Sequence, residues 1–335
     1  MTALATTTRA PRQRKHDRRK FLGGSEIAAV MGISPWQTPV ELWKAKTGRA
    51  EPRAFDAARE GILRRGKRLE PIVRAMAIDK MRERGLQVEL VAKNRRYYDR
   101  ELPWLTSEID FEVVLSGVAE IDGTEVRFNR ELVTADCKTA AGFARRHWGA
   151  EDTDAMPLYY AAQFMQGLDL TGRDRCLCAA LIGLDDVALY WVTRDDVTIG
   201  AMRQRAQSFW VDHVLADVPP DPIKYADIRE LYPVDNGRTL EATDEIAAAA
   251  REHRSLGRQI KTLEAQREAL ALQIGDYLQD FKTLTVDGRP AYTLATSERT
   301  NVDLAAMRRQ HAGLVALFEE PTSTRVLRPN THFRG

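Results

Sequence analysis

Leu105-Thr106-Ser107-Glu108-Ile109-Asp110 and Leu132-Val133-Thr134-Ala135-Asp136-Cys137-Lys138 are the two stretches from which the fold can be read. Each is a strand-like run that reaches a carboxylate. Asp136 and Lys138 stand two apart, so on a strand their side chains leave the same face. Alone, that pair reads first as a surface ion pair, which is worth little. Asp110 on an earlier strand changes the balance, because two anions and one cation then gather around a common point. Hard cations such as Mg²⁺ take oxygen ligands and keep several waters. Bridging carboxylates hold pairs of such ions about 3.5–4 Å apart for in-line displacement at phosphorus. Lys138 would then position the attacking water or offset developing negative charge.

Outward from these runs, a period of two extends through Val88–Val91, Arg95–Tyr98, Leu105–Leu115, Glu125–Phe128, Leu132–Lys138, Arg175–Gly183 and Ala188–Thr193, with turns such as Ile121-Asp122-Gly123-Thr124 between strands. Asp136 follows Asp110 by 26 residues. That is long for a tight hairpin and predicts an insertion around Ser116–Glu131. Gly23-Gly24-Ser25-Glu26-Ile27-Ala28-Ala29-Val30-Met31-Gly32 reads as a loop feeding a short helix, with Ser25 as N-cap and Gly32 as stop. Further helices are expected over Val40–Thr47, Ala58–Arg84, Leu158–Leu168 and Arg194–Leu215, the last opened by Asp195 or Asp196. Pro71 predicts a kink or a fresh start within the third of these. Helices, a run of strands, a helix and more strands give a mixed α/β domain over residues 18–220. On its helices, Glu70 is either a third carboxylate for the site or an exposed glutamate beside arginines. Gln163 is suited to fixing a water or a backbone phosphate. Tyr159 and Tyr160 read as packing residues rather than base-stacking ones.

The chain has 335 residues, 44% hydrophobic and 29% charged, the ordinary balance of a soluble globular protein. Nothing approaches eighteen consecutive apolar residues, and the basic N-terminus lacks a secretory apolar stretch. No membrane association and a cytoplasmic location are therefore expected. Cys137, Cys176 and Cys178 are too few for a four-cysteine iron–sulfur site and argue against a disulfide framework. The six histidines show no zinc-ligand spacing, and no nucleotide-binding glycine loop is present. Net charge is only +2, but Arg9, Arg12, Arg14, Lys15, Arg18, Arg19 and Lys20 are opposed by Asp17 alone. Residues 1–17 thus form a basic flexible arm, either a solubilising tail or a contact for a polyanion such as DNA.

Pro219, Pro220, Pro222 and Pro233 mark a linker. Beyond it Ile246, Ala249, His253, Leu256, Ile260, Leu263, Leu270, Ile274, Tyr277 and Phe281 recur in steps of three and four, with Arg267 in the one skipped place. Residues 236–283 are expected to form a long helix or helical hairpin; a coiled-coil interface is the alternative. Residues 284–335 read as a small α/β region.

The ordered set of motifs resembles the YqaJ-type viral recombinase family, the group that includes lambda exonuclease and RecE. The resemblance is carried by the Arg18-Arg19-Lys20-Phe21-Leu22-Gly23-Gly24-Ser25 opening, continuing to Ser34-Pro35-Trp36. It runs on through Val40-Glu41-Leu42-Trp43-Lys44-Ala45-Lys46-Thr47-Gly48, Gly66–Pro71, Asp110, Asp136-Cys137-Lys138 and Gln163. It implies a restriction-endonuclease-like, PD-(D/E)XK fold: a mixed sheet flanked by helices, here with a C-terminal helical extension. By the same resemblance Glu70, Asp110 and Asp136 are metal ligands, joined by the backbone carbonyl of Cys137, while Lys138 and Gln163 complete the catalytic set. Ser25 with Arg18 or Arg19 matches a 5′-phosphate pocket, which suits a serine near a helix N-terminus beside arginine. The implied activity is Mg²⁺-dependent 5′-to-3′ digestion of linear double-stranded DNA, with Mn²⁺ substituting for Mg²⁺. A RecT-type single-strand annealing protein would take up the 3′ strand in phage or prophage recombination within a bacterial cell, and a homo-oligomer is expected. Two rivals are a DNA-binding or assembly module with little catalysis and an endonuclease of the same fold. Phe111 stands where the family's aspartate motif usually continues into glycine, and Asp136 where glutamate is common.

Overall fold

The strands form one five-stranded sheet in the order β1 (Gln87–Tyr98), β2 (Thr106–Ile121), β3 (Thr124–Ala140), β4 (Arg175–Ile182) and β5 (Val187–Thr193). Neighbours are antiparallel except β3 and β4, which run parallel. A computed structural model describes residues 17–50, 57–184, 186–319 and 324–330 of the chain. Arg9, Arg12, Arg14 and Lys15 of the basic arm lie outside them. Asp17 does not belong to a free arm: its carboxylate accepts from the Arg19 amide and caps a short 3₁₀ turn over Arg18–Lys20.

No insertion interrupts the β2–β3 hairpin. Both strands simply continue past the expected ends and turn at Asp122-Gly123, where φ is +50° and +69°. Two consecutive left-handed residues are what a tight hairpin turn requires, and an Asp-Gly pair supplies them. The irregularity that split β3 in the sequence is local: the register shifts between Leu115 and Gly117, and Arg130 sits at φ +52°. A second shift, between Leu90 and Ala92, explains why β1 reads as two runs.

Alternation along the strands builds two cores. Phe111, Val113, Leu115, Val133, Ala135, Leu177, Ala179, Leu189 and Trp191 face one way and pack on Val73, Ala77 and Met81 of α3, helix α3 being Ala57–Glu83. This helix runs unbroken through Pro71, which removes only one backbone donor from it. On the other face Cys176, Cys178, Ala180 and Tyr190 meet Phe164 and Leu168, so the helix over Leu158–Thr171 (α4) covers that side. The short α1 (Gly24–Val30) and α2 (Pro39–Lys46) belong to a third cluster, in which Leu22, Ile27, Trp43 and Ala162 join Met202 and Trp210. Asp195 is the N-cap of α5 (Asp196–Ser208), which passes into a π-helical stretch over Phe209–Leu215. Burying each such aliphatic or aromatic side chain contributes about 1.5–3 kcal/mol. The first compact unit continues to Leu231. It includes α6 (Tyr225–Leu231), whose buried Asp227 accepts from the Thr38 hydroxyl and from the Ile223 and Lys224 amides.

The second unit, Tyr232–Gly335, is built on one 35-residue helix, α7 (Asp244–Leu278), rather than a helical hairpin. Thr243 caps it. Ile246, Leu256, Ile260, Leu263, Leu270 and Tyr277 of the apolar stripe are exposed. A two-stranded hairpin of β6 (Thr283–Val286) and β7 (Arg289–Thr293) follows, then α8 (Leu304–Gln310) and α9 (Ala312–Ala316). No helix among the described residues is long and apolar enough to cross a membrane.

Candidate active site

Because Phe111 and Ala135 pair and both face α3, the residues beside them, Asp110 and Asp136, face α4. Lys138 follows Asp136 on that same face. Phe111, fully buried, continues β2 as regular strand. The lysine ammonium donates to Asp136 Oδ1 and to Gln163 Oε1 at 3.2 Å, and the Gln163 amide donates to Asp136 Oδ2 at 3.2 Å. These three side chains close a ring of hydrogen bonds. Asp110 Oδ2 accepts from the Cys137 amide at 2.8 Å. Beneath the ring, Lys138 Nζ lies 5.2 Å from the ring centroids of both Tyr160 and Phe164.

The electrostatics follow from that confinement. Burial, then the charge of Asp136 and more weakly that of Glu70, raises the Asp110 carboxyl from 3.8 to about 8, against the opposing pull of Lys138 and the Cys137 amide. Burial alone would lower the Lys138 ammonium, but Asp136 and Asp110 beside it hold it above its ordinary value. Burial pushes the Cys137 thiol up, with the three acids adding to the effect, so it stays a neutral packing group.

Glu70 enters from a different layer. It sits on α3, across the sheet from α4, with its carbonyl 3.6 Å from Cys137 Sγ and its carboxylate 3.8 Å from Arg74. Its charge is felt at Asp110. Among the described residues, however, no three His, Cys, Asp or Glu side chains are gathered as a metal-holding group. The donor set fits a hard divalent cation, since it offers carboxylate oxygens, and burial beside Asp136 raises the Asp110 carboxyl to about 8, a cost that a bound cation would offset.

Ser25 is exposed at the second position of α1 and does not cap it. Glu26 does that work, accepting from the Gly23 amide at 2.9 Å. The same buried carboxylate accepts from Arg18 Nη2 at 3.0 Å and from Lys46 Nζ at 2.7 Å. Lys46, only 5% exposed, also donates to the carbonyls of Arg18 and Phe21. This buried clamp holds the Arg18–Ser25 loop. Sequence reasoning missed it; the signal was a glutamate three residues after a glycine, the spacing of a helix cap. Arg19 instead pairs with Asp17 and stays mostly exposed. Gly24 has a separate reason: a Cβ there would lie 3.0 Å from Ser107 Oγ and 3.5 Å from Gln163 Cγ. The glycine thus lets the start of α1 close on the helix that carries Gln163.

A mixed sheet with helices on both faces brings two carboxylates, a lysine and a glutamine amide to one buried point, the arrangement expected of the restriction-endonuclease-like fold. Residues 15–174 match the model of the YqaJ-like viral recombinase domain. The YqaJ protein of Bacillus subtilis (strain 168) is 24% identical over 273 residues, covering 79% of this chain and 77% of its own length. An alkaline exonuclease from Laribacter hongkongensis resembles 60% of this chain and 91% of its own, with 18% identity and a TM-score of 0.40. A phage-related exonuclease from Haemophilus somnus 129PT resembles 59% of this chain and 96% of its own, with 13% identity and a TM-score of 0.40.

Proposed function

We propose that this chain is a 5′-to-3′ exonuclease acting on the ends of linear double-stranded DNA and leaving a 3′ single strand. The observation that carries the reading is the buried ring of Asp136, Lys138 and Gln163 beside Asp110. Asp110 and Asp136, with Glu70 and the Cys137 carbonyl as further donors, would hold Mg²⁺, or Mn²⁺ in its place. When bound, paired divalent ions polarise the scissile phosphate and lower the pKa of the attacking water. Lys138 keeps a full positive charge where negative charge develops and is held there by Asp136 and by two aromatic rings. Gln163 orients both the lysine and the aspartate through its two amide atoms. Ser25, exposed and without a capping duty, and Arg18, tethered to Glu26 on the same helix, are suited to receive a terminal phosphate. Docking that phosphate would set both the end and the direction of digestion. By the family's pattern, a single-strand annealing protein of the RecT kind would take up the product during phage recombination, with this chain acting as a homo-oligomer.

The test compares one duplex in three forms: linear with 5′-phosphate, linear with 5′-hydroxyl, and covalently closed. Each carries a label at the 3′ end of one strand, or internally where the form is closed. Loss of the labelled strand from its 5′ side, faster on phosphorylated ends and absent on the closed form, supports the proposal. Cutting of the closed form would transfer the site to an endonuclease, and equal rates on the two linear forms would remove Ser25 and Arg18 from a phosphate pocket.

A further inference from the structure

Three aromatic rings run from the surface to Lys138. Trp36, in the loop between α1 and α2, keeps 58% of its surface exposed although it is among the largest apolar side chains available. Its ring lies edge-on to Tyr159, with centroids 4.6 Å apart and planes at 74°. Tyr159 in turn meets Tyr160 at 4.5 Å and 62°. Tyr160 is the ring 5.2 Å from the Lys138 ammonium. The inner member has a packing role, since Tyr160 also meets Trp148 and Phe164. The outer members do not share it: Tyr159 is half-buried and Trp36 projects from the loop. Trp36 also reaches Tyr160 directly, with centroids 6.1 Å apart, and core packing does not account for an exposed tryptophan supported from behind by two tyrosines beside the Lys138 ammonium.

We infer that Trp36, backed by Tyr159, is a stacking platform for a nucleobase of the bound DNA end. This deepens the nuclease reading and rests on it. Every base has a π-face, so such a platform grips without reading sequence. A base held on Trp36 is also one lifted from its neighbours, which fixes how far the end opens before the linkage reaches Lys138. The base belongs either to the strand being cut or to its complement, and the chemistry of stacking is the same for both.

The experiment measures kcat/KM for the unmodified chain, Trp36→Ala and Trp36→Phe on 5′-phosphorylated linear duplexes. Three ends are used: intact, abasic at the terminal nucleotide of the cut strand, and abasic at the terminal nucleotide of its complement. Trp36→Ala is expected to lose about 5- to 100-fold on intact ends, the range found for removing one stacked base contact. That loss should vanish on the abasic end of whichever strand supplies the base, and Trp36→Phe should retain most of the rate. An alanine loss of equal size on all three ends, or no loss on intact ends, overturns the platform while leaving the nuclease reading in place. An unmodified chain that degrades none of the duplexes overturns both. Thermal unfolding of each variant checks folding, which the exposure of Trp36 should leave unchanged.

Discussion

Replacing Asp110 with asparagine should stabilise the metal-free protein while removing its activity. The carboxyl is pushed from 3.8 to about 8 by burial and by Asp136. The folded state therefore keeps a proton that the unfolded state releases anywhere between those two values. Stability from this group is complete below the unfolded value and is lost progressively as pH rises towards about 8. At roughly 1.4 kcal/mol per pH unit, the loss is on the order of 4 kcal/mol at pH 7 and less than half of that at pH 5. Asparagine has the same shape, still accepts from the Cys137 amide, and has no charge to bury. Its own desolvation cost reduces the gain, so Asp110→Asn should unfold later by about 2–4 kcal/mol at pH 7. For a domain of this size that is a shift on the order of 5–15 °C. The assay is thermal unfolding in excess chelator at pH 5 and pH 7. The variant should gain at both values and gain more at pH 7. A variant that melts no higher than the unmodified chain, or a gap unchanged between the two pH values, would refute the claim that burial and Asp136 outweigh Lys138 at the Asp110 carboxyl.

Other outcomes follow from the same geometry. Lys138→Ala should abolish cleavage yet leave DNA binding measurable by fluorescence anisotropy; full turnover in that variant would take the lysine out of the chemistry. Lys46→Met should cost about 2–4 kcal/mol, because Glu26 and two backbone carbonyls lose a buried cationic partner. Unchanged unfolding would mean that the clamp contributes nothing. Ser25→Ala, at an exposed position, should leave unfolding within about 0.5 kcal/mol and reduce the preference for 5′-phosphorylated over 5′-hydroxyl ends. Divalent-ion affinity, read by calorimetry, should rise with pH towards about 8 as Asp110 gives up its proton.

The central pair of strands was legible because a period of two is rigid. Once Leu105–Asp110 and Leu132–Lys138 are strands, Asp136 and Lys138 must share a face, and antiparallel pairing brings Asp110 to them. The turn at Ile121-Asp122-Gly123-Thr124 was legible, but the unbroken strands on either side of it were not. The register shift at Leu115/Gly117 and the left-handed Arg130 break the alternation for a few residues, so one long strand reads as two and the gap as an insertion. Gly24 and Lys46 escaped for a different reason. A glycine required by close approach to Gln163 looks like any loop glycine, and a buried lysine looks like a surface lysine until its carboxylate partner folds over it. Tyr159 and Tyr160 are adjacent and chemically alike, and both touch Trp36, yet Tyr160 alone also packs under Lys138 and against Trp148.

The most direct test of the site is release of acid-soluble nucleotide from a linear duplex by the unmodified chain and by Asp136→Ala, each with Mg²⁺, with Mn²⁺ and in chelator. Progressive release that needs the divalent ion and is lost in the variant is the predicted result. Intact DNA under every condition, or release that persists in Asp136→Ala, would contradict the assignment of catalysis to Asp110, Asp136 and Lys138.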